Sequence, residues 1–169
     1  MTMPQGGGQA PMSWQRPMEE VGPAPGLEFG SPGPRLVAWI VDGIIVAVVV
    51  TAIALFGVLV LVAGATNDNA ASAVGGGLII VFGAIVVSFG YFPWFWARSG
   101  ATPGMRLFGL RVVRDADGGP ISGGQAVLRL IGYWVSGAVF YLGYIWIFID
   151  KRKRGWHDLI AGTVVVQQQ

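Results

Sequence analysis

Two charges at the start of a long apolar run carry the first chemical information in this sequence. The stretch "RLVAWIVDGII" (35–45) begins with Arg35 and contains Asp42, and the run continues to Ala63 without another charge. A charged side chain inside a membrane segment costs at least about 2.5–3.5 kcal/mol on insertion scales, so such residues usually face protein or a cavity. Asp42 is therefore a candidate for ion or proton handling, or for a buried and fully bonded packing contact.

Arg35 and Asp42 are seven residues apart and share one face of a helix. Asp42 lies about 10.5 Å from Arg35 along the axis, which is too far for a direct ion pair. We therefore expect the partner of Asp42 on another segment. Arg129, at the start of the third apolar segment, is the best candidate for the counter-charge, and the hydroxyl groups of Tyr133 and Ser88 are alternatives.

A second group of candidate residues lies in "GWHD", where His157 precedes Asp158. Histidine titrates near neutral pH, so His157 is a candidate pH sensor. The alternative is an interfacial side chain that is hydrogen-bonded to Asp158 or to the backbone. If this segment returns to the membrane face that holds Arg35, then Arg35 and Asp158 can form a charge-assisted pair with His157 beside it.

The composition is that of a membrane protein. Hydrophobic residues make up 53% of the 169 positions, charged residues only 12%, and the mean hydropathy is +0.60, whereas soluble domains carry about 25% charged residues. Cysteine is absent, which excludes disulfides. We find no phosphate loop, nucleophile elbow, dinucleotide glycine pattern or histidine-rich metal spacing. We expect no enzyme activity, cofactor, metal or nucleic-acid partner, and a location in the cell membrane.

Three apolar segments define the predicted architecture: 36–63, 74–97 and 126–149. About 20 helical residues cross a 30 Å hydrocarbon core, so each is long enough to span or enter a membrane. Residues 1–34 are rich in glycine and proline and predict a disordered tail. The sequence predicts an all-α integral membrane protein, a small bundle of three membrane-embedded helical segments.

The loop 98–125 and the tail 150–169 predict short extended elements. In the loop, a β-branched run precedes Asp-Gly-Gly-Pro, as in a strand that enters a turn. We therefore expect a short amphipathic element or β-hairpin at the cytoplasmic face. In the tail, "GTVVV" predicts a further strand beside residues 109–113.

The basic residues predict the orientation, because lysine and arginine collect on the cytoplasmic side of short loops. Asp68 is the single charged residue of the turn at 64–73, whereas the loop 98–125 contains four arginines. The loop and the N-terminal tail are then cytoplasmic. The basic run of the C-terminal tail also favours the cytoplasm, and it can attract anionic lipid head groups. That run consists of Lys151, Arg152, Lys153 and Arg154.

A full third crossing would place this basic run outside, which leaves two alternatives for segment 126–149. In the first, Gly137 and Gly143 break the segment into two arms that enter and leave on the same side, as is allowed where protein shields the backbone. In the second, the segment crosses fully and the charge rule fails here. We favour the first alternative.

Three ordered motifs resemble those of the RDD family of small membrane proteins, named for one arginine and two aspartates. The motifs are "PRLVAWIVDGII", "ATPGMRLFGLRVV" and "DKRKRGWHDLIAGTVVV". The resemblance covers about residues 34–166 and implies that Arg35, Asp42 and Asp158 are the signature residues of a domain at 35–166. The sequence departs from the family pattern at Met105, where a lysine or similar polar residue is common.

The resemblance implies a function as well as an architecture. It implies a transporter or a cation/proton-exchange component that uses an intramembrane aspartate. The alternative is a non-transporting scaffold or accessory subunit of a membrane protein complex. Either function implies the lipid bilayer as a partner, together with a homo-oligomer or a second membrane protein.

Overall fold

A computed structural model describes residues 22–167, which form helices and one small sheet. The helices and strands, in chain order, are β1 (Glu28–Phe29), α1 (Pro32–Thr66), α2 (Ala70–Ser99), α3 (Pro103–Leu107), β2 (Leu110–Arg114), α4 (Gly123–Ala138), α5 (Leu142–Ile145), a 3-10 turn (Trp146–Phe148), α6 (Trp156–Ala161) and β3 (Thr163–Gln167).

Helices α1 and α2 form a long antiparallel hairpin. They contain 35 and 30 residues, or about 52 and 45 Å, so both exceed the roughly 30 Å of a hydrocarbon core. Their outer surfaces are apolar, and large side chains such as Leu59 and Val86 are 69% and 67% exposed. Both helices are long and apolar enough to cross a membrane. The predicted segments 36–63 and 74–97 lie within them.

Glycines allow the two long helices to approach closely. A Cβ atom at Gly76 would lie 2.4 Å from the backbone nitrogen of Leu61, and one at Gly64 would lie 2.3 Å from that of Ala73. Backbone atoms cannot move aside at low cost, so these positions exclude larger residues. The helices are joined by the short connection 67–69, in which the Asn69 side chain accepts a hydrogen bond from the first turn of α2.

A three-stranded sheet is formed by a strand that precedes the helical hairpin, a strand that follows it and the last strand of the described chain. Its strand order is β1-β3-β2, with β3 antiparallel to both neighbours. The predicted pairing of "GTVVV" with the 109–113 run is confirmed. The predicted β-hairpin within 98–125 is wrong, because the partner of β2 is β3 and the turn after β2 leads into α4.

The ordered region begins before residue 35. Residues 1–21 of the predicted disordered tail lie outside the described residues. Residues 22–34 are described, and they contain β1 and the first turn of α1. Phe29 is only 7% exposed and packs with Val113, Val164 and Val166. The prediction of disorder is therefore wrong for 22–34, since pairing with β3 supplies the hydrogen bonds that this segment cannot make alone.

The third apolar segment is bent. The chain bends by 110° between helix α4 and the helical stretch 142–148. The bend arises because Phe140 and Tyr141 adopt left-handed backbone conformations with φ of 48° and 60°. The two predicted arms are present, but the predicted break points are wrong: Gly137 lies inside α4 and Gly143 inside α5. Because β2 precedes this segment and β3 follows it, both of its ends lie beside the same sheet.

Candidate functional site

A buried charge cluster joins three parts of the chain at the sheet end of the bundle. Arg129 of α4 donates from Nη1 to Asp158 Oδ1 of α6, and it also donates to Thr163 Oγ1 at 2.7 Å. Arg35 Nη1 of α1 lies 3.5 Å from Asp158 Oδ2. Asp158 is fully buried, and Arg129 is 1% exposed. The structure thus brings Arg35 and Asp158 together, as the sequence predicts, and adds Arg129.

Arg35 also binds two backbone carbonyl groups. Its Nη1 donates to the oxygen of Lys153 at 2.7 Å, and its Nη2 donates to the oxygen of Val165 at 3.0 Å. One guanidinium therefore connects the start of α1 with the segment before α6 and with the central strand. Because its fork of donors is planar and rigid, arginine suits such a three-way contact better than lysine.

Aromatic rings surround the cluster. The guanidinium of Arg129 lies over the rings of Trp96 and Tyr133, at 5.0 and 5.7 Å from their centroids. The His157 imidazole stacks on Tyr133 with a centroid distance of 4.0 Å. The two contacts of Arg129 stabilise this buried cation by cation–π attraction.

Burial and charge set the protonation of His157 and Asp158. Burial, together with the nearby cations Arg129 and Arg35, lowers the pKa of His157 to about 4. For Asp158, burial acts to raise the pKa, but Arg129, His157 and Arg35 outweigh it and lower the pKa to about 2. At neutral pH the imidazole is therefore uncharged and the carboxylate is ionised. His157 Nε2 lies 3.4 Å from Asp158 Oδ2.

Asp42 forms a separate site, and its partners are neutral. Its carboxylate accepts hydrogen bonds from Thr102 Oγ1 at 2.5 Å, from Gly104 N at 2.8 Å and from Tyr91 Oη at 2.9 Å. Asp42 is 1% exposed. The predicted partner Arg129 is wrong, because Arg129 pairs with Asp158. The predicted hydroxyl donors Tyr133 and Ser88 are also wrong, because Tyr91 and Thr102 supply the hydroxyl groups.

The Thr-Pro-Gly sequence at 102–104 explains how Asp42 is held. Thr102 caps α3 by accepting from Met105 N at 3.2 Å, and Pro103 suits the first helical position. A Cβ atom at Gly104 would lie 2.4 Å from the carbonyl oxygen of Ala38 and 2.9 Å from Asp42 Oδ1. Only glycine lets the α3 backbone approach α1 closely enough to bind the carboxylate.

Replacing Thr102 by valine tests this assignment. The change keeps the shape but removes a buried donor, so we expect the free energy of unfolding to fall by about 1–3 kcal/mol. Thermal unfolding of the purified protein in detergent measures the change. Thr66→Val is the matched control, because the Thr66 hydroxyl is exposed and binds only carbonyls of its own helix. Equal losses in both variants would contradict the proposed role of Thr102.

A cavity of about 490 Å³ lies beside both sites, between the first turns of α1, the end of α2, α4 and the 142–148 stretch. Four of the predicted residues line it. They are Arg35, Asp42, Arg129 and His157. Asp158 does not line the cavity, but it contacts Arg35 and Arg129, which do. Leu36, Trp39, Tyr141 and Phe148 also line the cavity and are exposed, so its rim is apolar and aromatic while its floor is polar.

The basic run at 151–154 is partly engaged in ion pairs. Arg154 binds Asp150 at 2.9 Å and Asp115 at 2.7 Å, and Arg152 binds Asp115 at 3.2 Å. These contacts fix the segment before α6 to the turn after β2. Lys151 is exposed.

Two comparisons of the sequence with known proteins gave a match. The model of the RDD family matches residues 29–162. Uncharacterized protein YxaI of Bacillus subtilis is 34% identical over 142 residues, which cover 78% of this chain and 93% of that protein. No solved structure matches the chain. Together with the two long apolar helices, these matches indicate a membrane protein. The chain therefore belongs to the RDD family.

Proposed function

We propose that this chain is a transporter or a cation/proton-exchange component in the cell membrane and that it uses the aspartate Asp42. The observation that carries the proposal is the cavity of about 490 Å³ with buried ionisable side chains on its wall. Ionisable residues within membrane segments commonly mark substrate or ion pathways. Pockets of about 300–1,000 Å³ with a few converging polar groups are the usual form of a small-molecule site.

In this proposal α1 and α2 cross the membrane, and the third segment enters and leaves on one side. Its two ends would then lie on the same face, since the strands that flank it belong to one sheet. The sheet end carries Arg98, Arg106 and the basic run 151–154, whereas the connection 67–69 has no basic residue. The sheet is then cytoplasmic by the positive-inside rule. Lys151 and its neighbours would lie where anionic head groups can bind.

The charges on the wall favour a ligand that carries a hydrogen-bond acceptor or a negative charge. Arg35 and Arg129 are cationic, and His157 is neutral at pH 7 because its pKa is about 4. Among residues 22–167, Asp42 is the one carboxylate that lines the cavity. Asp42 would be the group that couples transport to a cation or a proton, which requires release of bonds from its three neutral donors. One copy supplies two crossings, so a continuous pathway would need a homo-oligomer. A chain that needs a partner membrane protein would carry no flux alone, and that case belongs to the accessory-subunit function below.

A flux measurement on purified protein in liposomes tests this function. We expect wild-type protein to dissipate an imposed pH or sodium gradient, and we expect Asp42→Asn to abolish gradient-dependent flux while the protein still elutes as a folded species in gel filtration. Asp68→Asn is the control, because Asp68 is an exposed carboxylate in the connection between α1 and α2. Absence of flux in the wild type, under both gradients, would overturn the transport proposal.

The second candidate function is a non-transporting scaffold or accessory subunit. It is favoured by the bonding of Asp42 and Asp158, since both carboxylates are held by groups of their own chain. In this case Asp42→Asn would lower stability or abundance, and neither variant nor wild type would carry flux. The exposed apolar faces of α1 and α2 would then receive a partner.

A further inference from the structure

Four buried nitrogen atoms without hydrogen-bond partners lie on residues of the cavity wall. They are Arg35 Nε, Trp96 Nε1, Arg129 Nε and His157 Nδ1. Trp96, Arg129 and His157 are at most 3% exposed, so water does not reach them freely. Buried polar groups in proteins are nearly always hydrogen-bonded, and a cluster of exceptions indicates a missing partner. Three of these atoms are donors, so the missing partner must supply acceptors.

The charge of the cluster points to the same partner. Arg35 and Arg129 share one carboxylate, that of Asp158. Asp42 lines the same cavity and balances the total charge, but its carboxylate is engaged by the neutral donors of Tyr91, Thr102 and Gly104. The two guanidinium groups therefore have one carboxylate within bonding distance, and one positive charge of the cluster is not paired directly. A buried charge is unfavourable unless it is paired. One further negative charge on the cavity floor would complete it.

The exposed lining of the cavity indicates the chemical character of the rest of the ligand. Its exposed lining includes Leu36, Trp39 and Phe148, at 60%, 56% and 76% exposure. In the proposed membrane orientation these side chains face the hydrocarbon of the leaflet next to the sheet. The opening is thus apolar and the closed end is polar, which matches a molecule with a small charged head and a hydrocarbon chain.

We propose that the cavity binds a single-chain anionic amphiphile, a long-chain carboxylate, that enters from the membrane. The carboxylate lies at the floor and accepts hydrogen bonds from Arg35, Arg129 and the indole N–H of Trp96. The chain leaves between Leu36 and Phe148. This assignment rests on one part of the proposed function, namely that the cavity binds a ligand. It adds the chemical class of that ligand.

Binding is tested with palmitate on the full-length protein in a nonionic detergent, at mildly alkaline pH where the fatty acid is ionised. Unfolding midpoints are measured at increasing concentrations of palmitate, hexadecanol and acetate. Hexadecanol has the same chain without a charge, and acetate has the charge without a long chain. We expect the unfolding midpoint to rise saturably with palmitate concentration and to stay unchanged with acetate. We expect hexadecanol to bind at least tenfold more weakly than palmitate. Equal binding of palmitate and hexadecanol would overturn the charged head group.

Trp96→Phe tests the floor of the cavity without removing a charge. The ring is kept and the N–H donor is lost, so palmitate affinity should fall about tenfold. Trp94→Phe is the matched control on the same helix, because Trp94 is 61% exposed and does not line the cavity, and its affinity should equal that of the wild type. Equal affinity in both variants would overturn the assignment.

The two proposals fail in different ways. Flux without palmitate binding would overturn the amphiphile site and leave the transport proposal intact. Palmitate binding without flux would support the amphiphile site and overturn transport, which favours the accessory-subunit function.

Discussion

Asp158→Asn is expected to lower the free energy of unfolding by about 3–5 kcal/mol, the range measured when one partner of a buried ion pair is removed. The carboxylate of Asp158 is fully buried and faces both Arg35 and Arg129, so asparagine would leave two buried cations without a counter-charge. Denaturant or thermal unfolding in detergent measures the loss.

The control for this prediction is Asp117→Asn. Asp117 pairs with Arg114 at 2.8 Å, but the Asp117 side chain is 53% exposed, and exposed pairs contribute about 0–1 kcal/mol. The double variant Asp158→Asn with Arg129→Gln should regain part of the loss, because it removes one of the uncompensated charges. A loss at Asp158 no larger than that at Asp117 would show that the buried cluster is not required for stability.

Acid is expected to destabilise the protein through His157. The folded-state pKa is about 4 and the unfolded value is about 6.5, so the unfolded chain binds the proton first as the pH falls. The stabilisation is complete above about pH 6.5 and is lost as the pH falls toward 4, by about 3 kcal/mol in total. Asp158 adds a second loss at lower pH, between its unfolded value of about 3.8 and its folded value of about 2.

His157→Gln separates these two windows. Glutamine keeps a donor near Asp158 but does not titrate, so the slope of stability against pH between about 6.5 and 4 should disappear, while the loss below pH 4 remains. His157 is the single histidine of the sequence, so no other imidazole contributes to that window. Unfolding midpoints across a pH series measure the slope, and an unchanged slope in the variant would contradict the prediction.

The elements that local sequence determines were predictable. The positions of α1 and α2 follow from long apolar runs, although each helix extends two to four residues beyond its run at either end. Strands β2 and β3 follow from short β-branched runs next to turn residues. The bend was predicted at glycines, yet Phe140 and Tyr141 carry it. Residues of these types rarely adopt positive φ, so no local signal marks them. A two-residue strand such as Glu28–Phe29 is also too short to show a pattern.

The candidate site was predictable in its members but only partly in its contacts. Resemblance to the family identified Arg35, Asp42 and Asp158, and geometry brought Arg35 to Asp158. The predicted partners of Asp42 were an opposite charge and two other hydroxyl groups, whereas its donors are Tyr91 of α2 and the turn 102–104. Neutral donors satisfy a buried carboxylate equally well. The signal for them was present in the capping sequence Thr-Pro-Gly at 102–104, which presents a hydroxyl and a backbone N–H to one acceptor.

The position of β3 has a consequence for biosynthesis. This strand lies at the centre of the sheet, between β1 and β2, although it follows both of them in the sequence. The ribosome therefore synthesises Arg35 and Arg129 before Asp158 and before the strand that joins the two sheet edges. A nascent chain paused before Asp158 would hold two unpaired arginines and an unanchored hairpin. Pairing of the two arginines and closure of the sheet therefore both await the synthesis of the segment 158–167.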